Sequence, residues 1–269
     1  MIYILGGEGF VGSAYARVLR ELDQPFITIT RANYASLRGS ACDVLINANG
    51  NSRKFVATRD PLRDFDASVR SVAASLEDFR AQRYVFLSSG DVYPDTSTPD
   101  ATREDAPIDL SRVSRYGLHK SLAEQLVRSV HPAWLVVRMG GFVGPGLKKN
   151  AIFDMLTDDP VWLSPESELQ FISTDSAARL VWALVQSGVR GEVVNLGAEG
   201  LLNLGQFHQS IGSASLFKPG APTVRYELSL DRLRRLSGKP LPRTAECVSE
   251  FAMAVRAGRI VLAEKIAAC

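Results

Sequence analysis

The stretch that most limits what this chain can become is its beginning. Met1-Ile2-Tyr3-Ile4-Leu5 is a short apolar run, Gly6-Gly7-Glu8-Gly9-Phe10-Val11-Gly12 is a glycine-dense turn, and Ser13-Ala14-Tyr15-Ala16-Arg17-Val18 opens an amphipathic stretch. A buried strand that turns sharply into a helix is the start of a βαβ unit able to hold a dinucleotide. The glycines let the backbone reverse and approach a pyrophosphate, and the helix N-terminus offers that anion free N–H groups and a partial positive charge. Two patterns overlap: G-x-G-x-x-G through Gly7, Gly9 and Gly12, and G-x-x-G-x-x-G through Gly6, Gly9 and Gly12. Glycine triplets also occur in ordinary tight turns, so it is the flanking strand and helix that favour a nucleotide cradle.

The second apolar run, Phe26-Ile27-Thr28-Ile29-Thr30, ends in Arg31. In units that hold NAD, an acidic residue about 20 positions past the turn meets the ribose 2′-hydroxyl. None stands here, and Asp23 precedes the strand rather than ending it. A guanidinium at Arg31 suits a 2′-phosphate, to which it can give forked hydrogen bonds. NADP is therefore the expected cofactor, with NAD as the alternative. The plainer reading of Arg31 is a solvated charge at a strand end.

With 269 residues, 46% of them hydrophobic, the chain can bury a sizeable core. A formal charge of +2, with acids and bases interspersed, provides no nucleic-acid surface. Cys42, Cys247 and Cys269 are far apart and odd in number, so neither a disulfide framework nor a metal cluster is expected. His119, His131 and His208 form no ligand pair at helical spacing. The first apolar run is too short for a signal peptide, and no stretch has the length of a membrane span. A soluble, cytoplasmic protein with no metal is the expectation.

Apolar runs and helical periodicity alternate through the first two-thirds. Strands are expected at Ile2–Leu5, Phe26–Thr30, Val44–Asn47, Tyr84–Ser88, Trp134–Arg138 and Val193–Leu196. Helices are expected near Phe10–Glu21, Pro61–Arg80, Arg115–His131, Ala151–Thr157 and Thr174–Ser187. This is the pattern of an α/β fold, a Rossmann-type doubly wound parallel sheet. The short segment between the second strand and Val44 suggests an element trimmed there. After Gly144-Pro145-Gly146 the pattern loosens into brief helical pieces, so residues 146–269 are expected as a small C-terminal substrate-binding lobe after a dinucleotide domain at 1–145. Val193–Leu196 would return to the sheet.

Two pieces carry chemistry. Tyr116-Gly117-Leu118-His119-Lys120 puts a phenol and an ammonium four residues apart, on one helix face and about 6 Å apart along the axis. A neighbouring ammonium, helped by an oxidised nicotinamide ring, favours the phenolate and would bring proton exchange towards neutral pH. Tyr84-Val85-Phe86-Leu87-Ser88-Ser89-Gly90-Asp91-Val92-Tyr93 delivers two serines to the end of an apolar strand, where a sheet of this class presents its site. A serine hydroxyl there can bond a substrate alcohol or carbonyl, or simply satisfy its own turn. His119 points around the helix from both neighbours and reads as structural.

These motifs together resemble the extended short-chain dehydrogenase/reductase family, particularly its nucleotide-sugar epimerases, dehydratases and reductases. The resemblance runs from Met1 to about Phe251. Gly6, Gly9 and Gly12 are similar to its cofactor turn, and Ser88-Ser89-Gly90-Asp91-Val92-Tyr93 to its Ser-Ser-x-x-Val-Tyr strand end. Tyr116 and Lys120 match its Tyr-x-x-x-Lys pair. Arg138 to Gly144-Pro145-Gly146, Phe171-Ile172-Ser173-Thr174-Asp175 and Val194-Asn195-Leu196-Gly197 resemble its later motifs. The resemblance implies catalysis by Ser89, Tyr116 and Lys120. Tyr116 would exchange a proton with a sugar hydroxyl while hydride passes to or from the nicotinamide. Lys120 would lower the tyrosine's pKa and hold the ribose, and Ser89 would orient the hydroxyl or keto group. It further implies cofactor contacts at Gly6, Gly9, Phe10, Val11, Gly12, Arg31, Asn47, Ala48, Asn49, Ser88, Tyr116, Lys120 and Met139. Implied substrate contacts are Ser89, Gly90, Asp91, Tyr116, Gly141, Asn150 and Arg225, with Lys148 and Lys149 as further diphosphate candidates and Arg232 a weaker one. Relatives often pair through helices, so a homodimer is an expectation, and Val69, Val72, Ala73, Leu76 and Phe79 suit either such a face or ordinary packing.

Departures bear on the reaction. Gly141 and Val143 replace an asparagine and a tyrosine common in relatives, and Asn47-Ala48-Asn49-Gly50-Asn51 is more polar than their His-Leu-Ala-Ala. Dehydratases of the family carry one or two acids after the serine; here Asp91 alone stands at the second of those positions, where it would act as a base or cap a turn. The leading expectation is NAD(P)-dependent oxidation, reduction or epimerisation of a nucleotide-diphosphate sugar. The alternatives are a dehydratase using Asp91, an enzyme for a smaller ketone or steroid-like alcohol, and a non-catalytic NADP-binding sensor.

Overall fold

The computed structural model describes residues 1–51 and 54–262; Cys269 lies outside the described residues. The first half runs β1 (Ile2–Leu5), α1 (Gly12–Glu21), β2 (Phe26–Ile29), α2 (Tyr34–Leu37), β3 (Ala41–Asn47), α3 (Lys54–Arg59), α4 (Pro61–Phe65), α5 (Ser71–Asp78) and β4 (Arg80–Ser89). It continues with α6 (Arg115–Val130), β5 (Trp134–Met139), β6 (Gly141–Val143), α7 (Ala151–Leu156), β7 (Glu168–Leu169), β8 (Phe171–Ser173), α8 (Thr174–Gln186) and β9 (Glu192–Leu196). The chain closes with β10 (Leu202–Asn203), α9 (Leu204–Ile211), β11 (Arg225–Tyr226), α10 (Asp231–Ser237) and α11 (Thr244–Arg256).

The apolar strands pair in parallel into a six-stranded sheet in the order β2-β1-β3-β4-β5-β9. Buried on both faces, such strands read as continuous apolar runs. One face packs against α1 and α8 around Tyr15, Leu19 and Trp182. The other packs against α5 and α6 around Val72, Ala123 and Val127. The order reverses between β1 and β3, and at such a switch point the loops leaving the strand ends part to form a crevice. Smaller pairings, β10-β7-β11 and β6-β8, build the wall above that crevice.

The fold is the expected Rossmann-type α/β sheet, and β9 does join it. Differences are local. The turn runs two residues longer than expected, so α1 begins at Gly12 rather than Phe10. Only the four-residue α2 fills the trimmed segment after β2. The helix expected over Pro61–Arg80 is interrupted by a π-helical turn at Asp66–Arg70, and Arg80 already belongs to β4. The cause is Ser71. Its hydroxyl donates to the Ala67 carbonyl at 2.7 Å, and its own N–H bonds Asp66 one residue further back. A serine that bonds back in this way competes with the helical ladder. Val69, Val72 and Phe79 are buried in the chain's own core, so that stripe is not a free face for a second copy.

Candidate active site

The turn after β1 needs its glycines for two distinct reasons. Gly6 adopts φ +79°, open to glycine at no cost. A Cβ on Gly12 would collide with the Gly6 carbonyl, so α1 can press onto the turn only without a side chain there. Val11, at the N-cap, supplies no side-chain acceptor; the Ser13 and Ala14 N–H groups donate to the Gly9 and Val11 carbonyls, so what the start of α1 offers an anion is chiefly the positive end of its dipole. The site therefore uses the Gly6/Gly9/Gly12 pattern.

Two cavities meet over this turn. One, about 860 Å³, is lined by Gly6, Glu8, Gly9, Thr30, Arg31 and Asn49, among others. The second, about 620 Å³, contains Phe10, Val11, Ala48, Ser89, Asp91, Tyr116, Lys120, Met139, Gly141 and Asn150. Gly9, Asn49 and Gly50 belong to both, so they are halves of one cleft across the strand ends. A long ligand with an anionic middle fits this shape: a guanidinium at one end, the N-terminus of α1 at the centre, a phenol and an ammonium at the other. That is the donor set a dinucleotide requires.

Tyr116 and Lys120 lie in the first two turns of α6. Ser114 caps that helix through the Gly117 N–H at 3.1 Å, and a Cβ on Gly117 would collide with the Asp91 carbonyl. This close approach brings the phenol to the end of β4, where Ser89 lines the same cleft. Ser89 also donates to Asp91 Oδ2 at 2.9 Å, and Asp91 Oδ1 accepts from Lys54 Nζ at 2.6 Å. Burial pushes the Tyr116 phenol well above its ordinary value, with Asp91 adding to the rise and Ser89 opposing it. Burial likewise lowers the Lys120 ammonium to about 8, against the pull of Asp64, Glu124 and Asp91. Lys120 Nζ sits 6.0 Å from the Tyr116 ring centre, and its hydrogen bond goes to the Leu87 carbonyl at 3.5 Å. In the protein alone burial dominates both groups, because desolvation penalises both charged forms.

Several expected contacts are corrected. Asn47 is fully buried; its amide donates to Tyr84 at 2.7 Å and accepts from the Asn49 N–H at 3.0 Å, so it braces the strand end rather than lining the cleft. The Ser88 hydroxyl is committed to Glu124 at 2.6 Å, leaving only its backbone at the cleft. Gly12 packs on Gly6 and lines neither cavity. Gly90 lies beneath the Tyr226 hydroxyl and Leu228, so it is covered rather than presented. Arg225 is exposed and paired with Glu168 and Glu227. Arg232 pairs with Glu192 at 3.1 Å. The Asn150 amide is spent capping α7 at Phe153 and donating to Phe142, though the residue does line the cleft.

What sequence reasoning missed is chiefly Tyr226, whose ring lines the cleft above Gly90. The signal was parity: neighbours in a strand face opposite ways, so an outward Arg225 implies an inward Tyr226. Lys54, Asn51, Leu163 and Leu169 line the cleft too. His119 is structural as expected, with Nδ1 2.6 Å from the fully buried Asp64. Among the described residues there is no cluster of metal-ligating side chains, and no helix is long and apolar enough to cross a membrane.

Fold and cleft together define an α/β protein of dinucleotide-binding type with a Ser/Tyr/Lys group at its switch point. The chain belongs to the NAD dependent epimerase/dehydratase family, whose model matches residues 2–197. Its members are enzymes, and the resemblance to extended short-chain dehydrogenase/reductases is borne out. A UDP-galactose 4-epimerase has the same fold at TM-score 0.77 and 20% identity, over 96% of this chain and 99% of that one. A dTDP-glucose 4,6-dehydratase double mutant from Streptomyces venezuelae, with NAD and DAU bound, matches at 0.78 and 19%, over 96% and 98%. RMD from Pseudomonas aeruginosa, complexed with NADPH, matches at 0.77 and 17%, over 94% and 99%. No curated protein sequence matches the chain.

Proposed function

We propose that this protein is an NADP-dependent oxidoreductase or epimerase acting on a nucleotide-diphosphate sugar. The observation that carries the reading is Ser89, Tyr116 and Lys120 gathered at one end of a cleft whose other end holds Arg31. Gly6, Gly9 and the N-terminus of α1 would hold the pyrophosphate, and Arg31 the 2′-phosphate. Glu8 on the same wall would oppose that phosphate, and the guanidinium offsets it. The cofactor supplies hydride transfer at its nicotinamide. Tyr116 moves the proton of the reacting hydroxyl, Ser89 orients that oxygen, and Lys120 holds its charge beside both. Lys148 and Lys149, on the cleft past Gly146, would meet the substrate's phosphates. The named relatives, with UDP- and dTDP-sugars in their titles, support the substrate class.

Asp91 lies in the cleft with its side chain only 16% exposed, which favours elimination of water as the second reading over a solvent-facing cap.

Calorimetric titration tests the cofactor half. NADP should bind more tightly than NAD, and Arg31→Ala should erase that preference by about tenfold or more, the worth of a charged hydrogen bond. Protein that binds neither dinucleotide sinks the reading. A thermal-shift panel of UDP-, dTDP-, GDP- and CDP-sugars tests the substrate half; no response to any of them favours a smaller ketone or alcohol. With a responding sugar, Tyr116→Phe should lower turnover by about a hundredfold or more while leaving NADP affinity nearly unchanged.

A further inference from the structure

Side chains along a strand alternate in direction, and above the reacting end of the cleft this alternation separates charge from hydrocarbon. β11 lies parallel to β7, with Arg225 opposite Glu168 and Tyr226 opposite Leu169. The first two form an ion pair on the outer side of the wall. Leu169 and Tyr226 face the cleft, with Val224 on the same side of β11. Leu163 and Phe171 continue that surface. At its edge, a Cβ on Gly141 would collide with the Gln170 carbonyl and the Phe171 ring, so no side chain of any kind fits there.

The hydrogen-bonding capacity of this wall is already spent. Its strand backbones hold each other, with the Glu168 N–H on the Val224 carbonyl at 2.9 Å and the Gln170 N–H on the Tyr226 carbonyl at 3.1 Å. Gln170 itself, 3% exposed, clasps the wall's own main chain. Its side-chain oxygen accepts the Leu228 N–H at 3.1 Å, and its amide donates to the Leu228 carbonyl at 3.4 Å. Tyr226 reaches across to the other side, where its hydroxyl fills the space that a Cβ on Gly90 would need; its ring stays on the wall. The polar side chains that can meet a substrate here, Ser89, Asp91 and Tyr116, come from β4, the turn after it and α6.

An ordinary hexose carries an oxygen on every carbon, and a hydroxyl pressed against hydrocarbon with no partner costs binding. We propose that the substrate is the nucleotide-diphosphate ester of a 6-deoxyhexose, whose C6 methyl rests on Leu169, Phe171 and Tyr226. This deepens the nucleotide-sugar reading and rests on it. C6 is the one position where removing the oxygen leaves a carbon substituent that still fills an apolar wall; at a ring carbon the same loss leaves only hydrogen. With the reacting carbon at Tyr116 and Ser89, the ring hydroxyls fall to Ser89, Asp91 and the Tyr226 hydroxyl, and the methyl turns to the wall that offers none.

Sugars differing by a single oxygen test this: glucose against 6-deoxyglucose and galactose against 6-deoxygalactose, each as its UDP, dTDP, GDP and CDP ester. Each is titrated calorimetrically into protein saturated with NADP. In every pair that binds, the deoxy member should bind tighter by about tenfold or more, as an apolar pocket discriminates against an added hydroxyl. Leu169→Asn, which puts an amide on the wall, should cut that ratio to about threefold or less, by tightening the C6-hydroxyl sugar, with NADP affinity unchanged. Equal affinity within the pairs, or preference for the hydroxylated member, overturns the methyl subsite and leaves the nucleotide-sugar reading standing. So does an unchanged ratio in a Leu169→Asn protein that binds NADP as the wild type does. If that variant fails to fold, the wild-type ratio alone decides. Protein that binds none of these sugars overturns the nucleotide-sugar reading and the methyl subsite with it.

Discussion

Lys120 shows how a single residue couples stability to chemistry. Its ammonium is 4% exposed and burial lowers it from 10.5 to about 8. Between those values the unfolded chain holds the proton that the folded chain has lost, so this residue makes stability rise with pH across the window. Below about 8 both states are charged and the full penalty is in place, about 3 kcal/mol at ~1.4 per pKa step. Lys120→Met should therefore be more stable than the wild type at neutral pH, with the gap closing as pH approaches 10.5. The comparison of the two curves isolates the lysine. Buried tyrosines with raised values, such as Tyr84 at about 12, lower both curves together above their ordinary value of 10.0. Urea midpoints measured from neutral to alkaline pH check this, and a constant gap refutes it. At this scale the sequence identified which residue types meet but not which atoms were free. Nothing in Asn47 or Ser88 announces that Tyr84 and Glu124 already hold them; those partners come from other elements, and only packing assigns them.

Among elements, boundaries were legible wherever one periodicity dominated. β1 is as expected, and the other sheet strands differ by a few residues at their ends, since apolar runs buried on both faces leave little freedom. The π turn was not legible, because it depends on whether Ser71 bonds backwards or faces solvent. The helix that carries Tyr116 is fixed to its strand by a pair no motif reveals. Glu124 on α6 accepts from Arg138 on β5 through both oxygens, with Nη2 at 2.8 Å, and the side chains are 2% and 4% exposed. Removing one partner of such a pair strands a buried charge, whereas replacing both by apolar groups is often close to neutral. Arg138→Met should cost about 3–5 kcal/mol in urea unfolding, and Arg138→Met with Glu124→Leu should recover most of it. A double variant no better than the single one would mean that Ser88 and Tyr93, which share the network, matter more than the uncompensated charge.

Across the whole molecule, the motifs most useful for recognition turn out to be largely structural. Tyr93, Arg138 and Asn195 come from three separate signatures, and they form one buried line: Arg138 donates to the Tyr93 hydroxyl at 2.9 Å, which donates to Asn195 Oδ1 at 2.8 Å. Asn195, fully buried on β9, then ties the sheet to the upper wall. Its amide donates to the Thr102 carbonyl at 2.6 Å and the Ser229 carbonyl at 3.0 Å. Thr102 in turn donates to Glu227 and accepts from the Ser229 N–H. Those contacts bracket the segment that carries Tyr226 over the cleft, so Asn195 anchors the wall without touching it. Asn195→Leu fills the space but leaves a phenol and two carbonyls without their partner, at about 1–3 kcal/mol for each group left unsatisfied. The whole molecule should lose about 3 kcal/mol or more in urea unfolding. The loss should also be uneven: amide hydrogen exchange should quicken in residues 224–230 and in 100–104, while β1 and α1 keep their protection and NADP affinity holds. Uniform loss of protection would show that Asn195 supports the sheet itself, and the wall only through it.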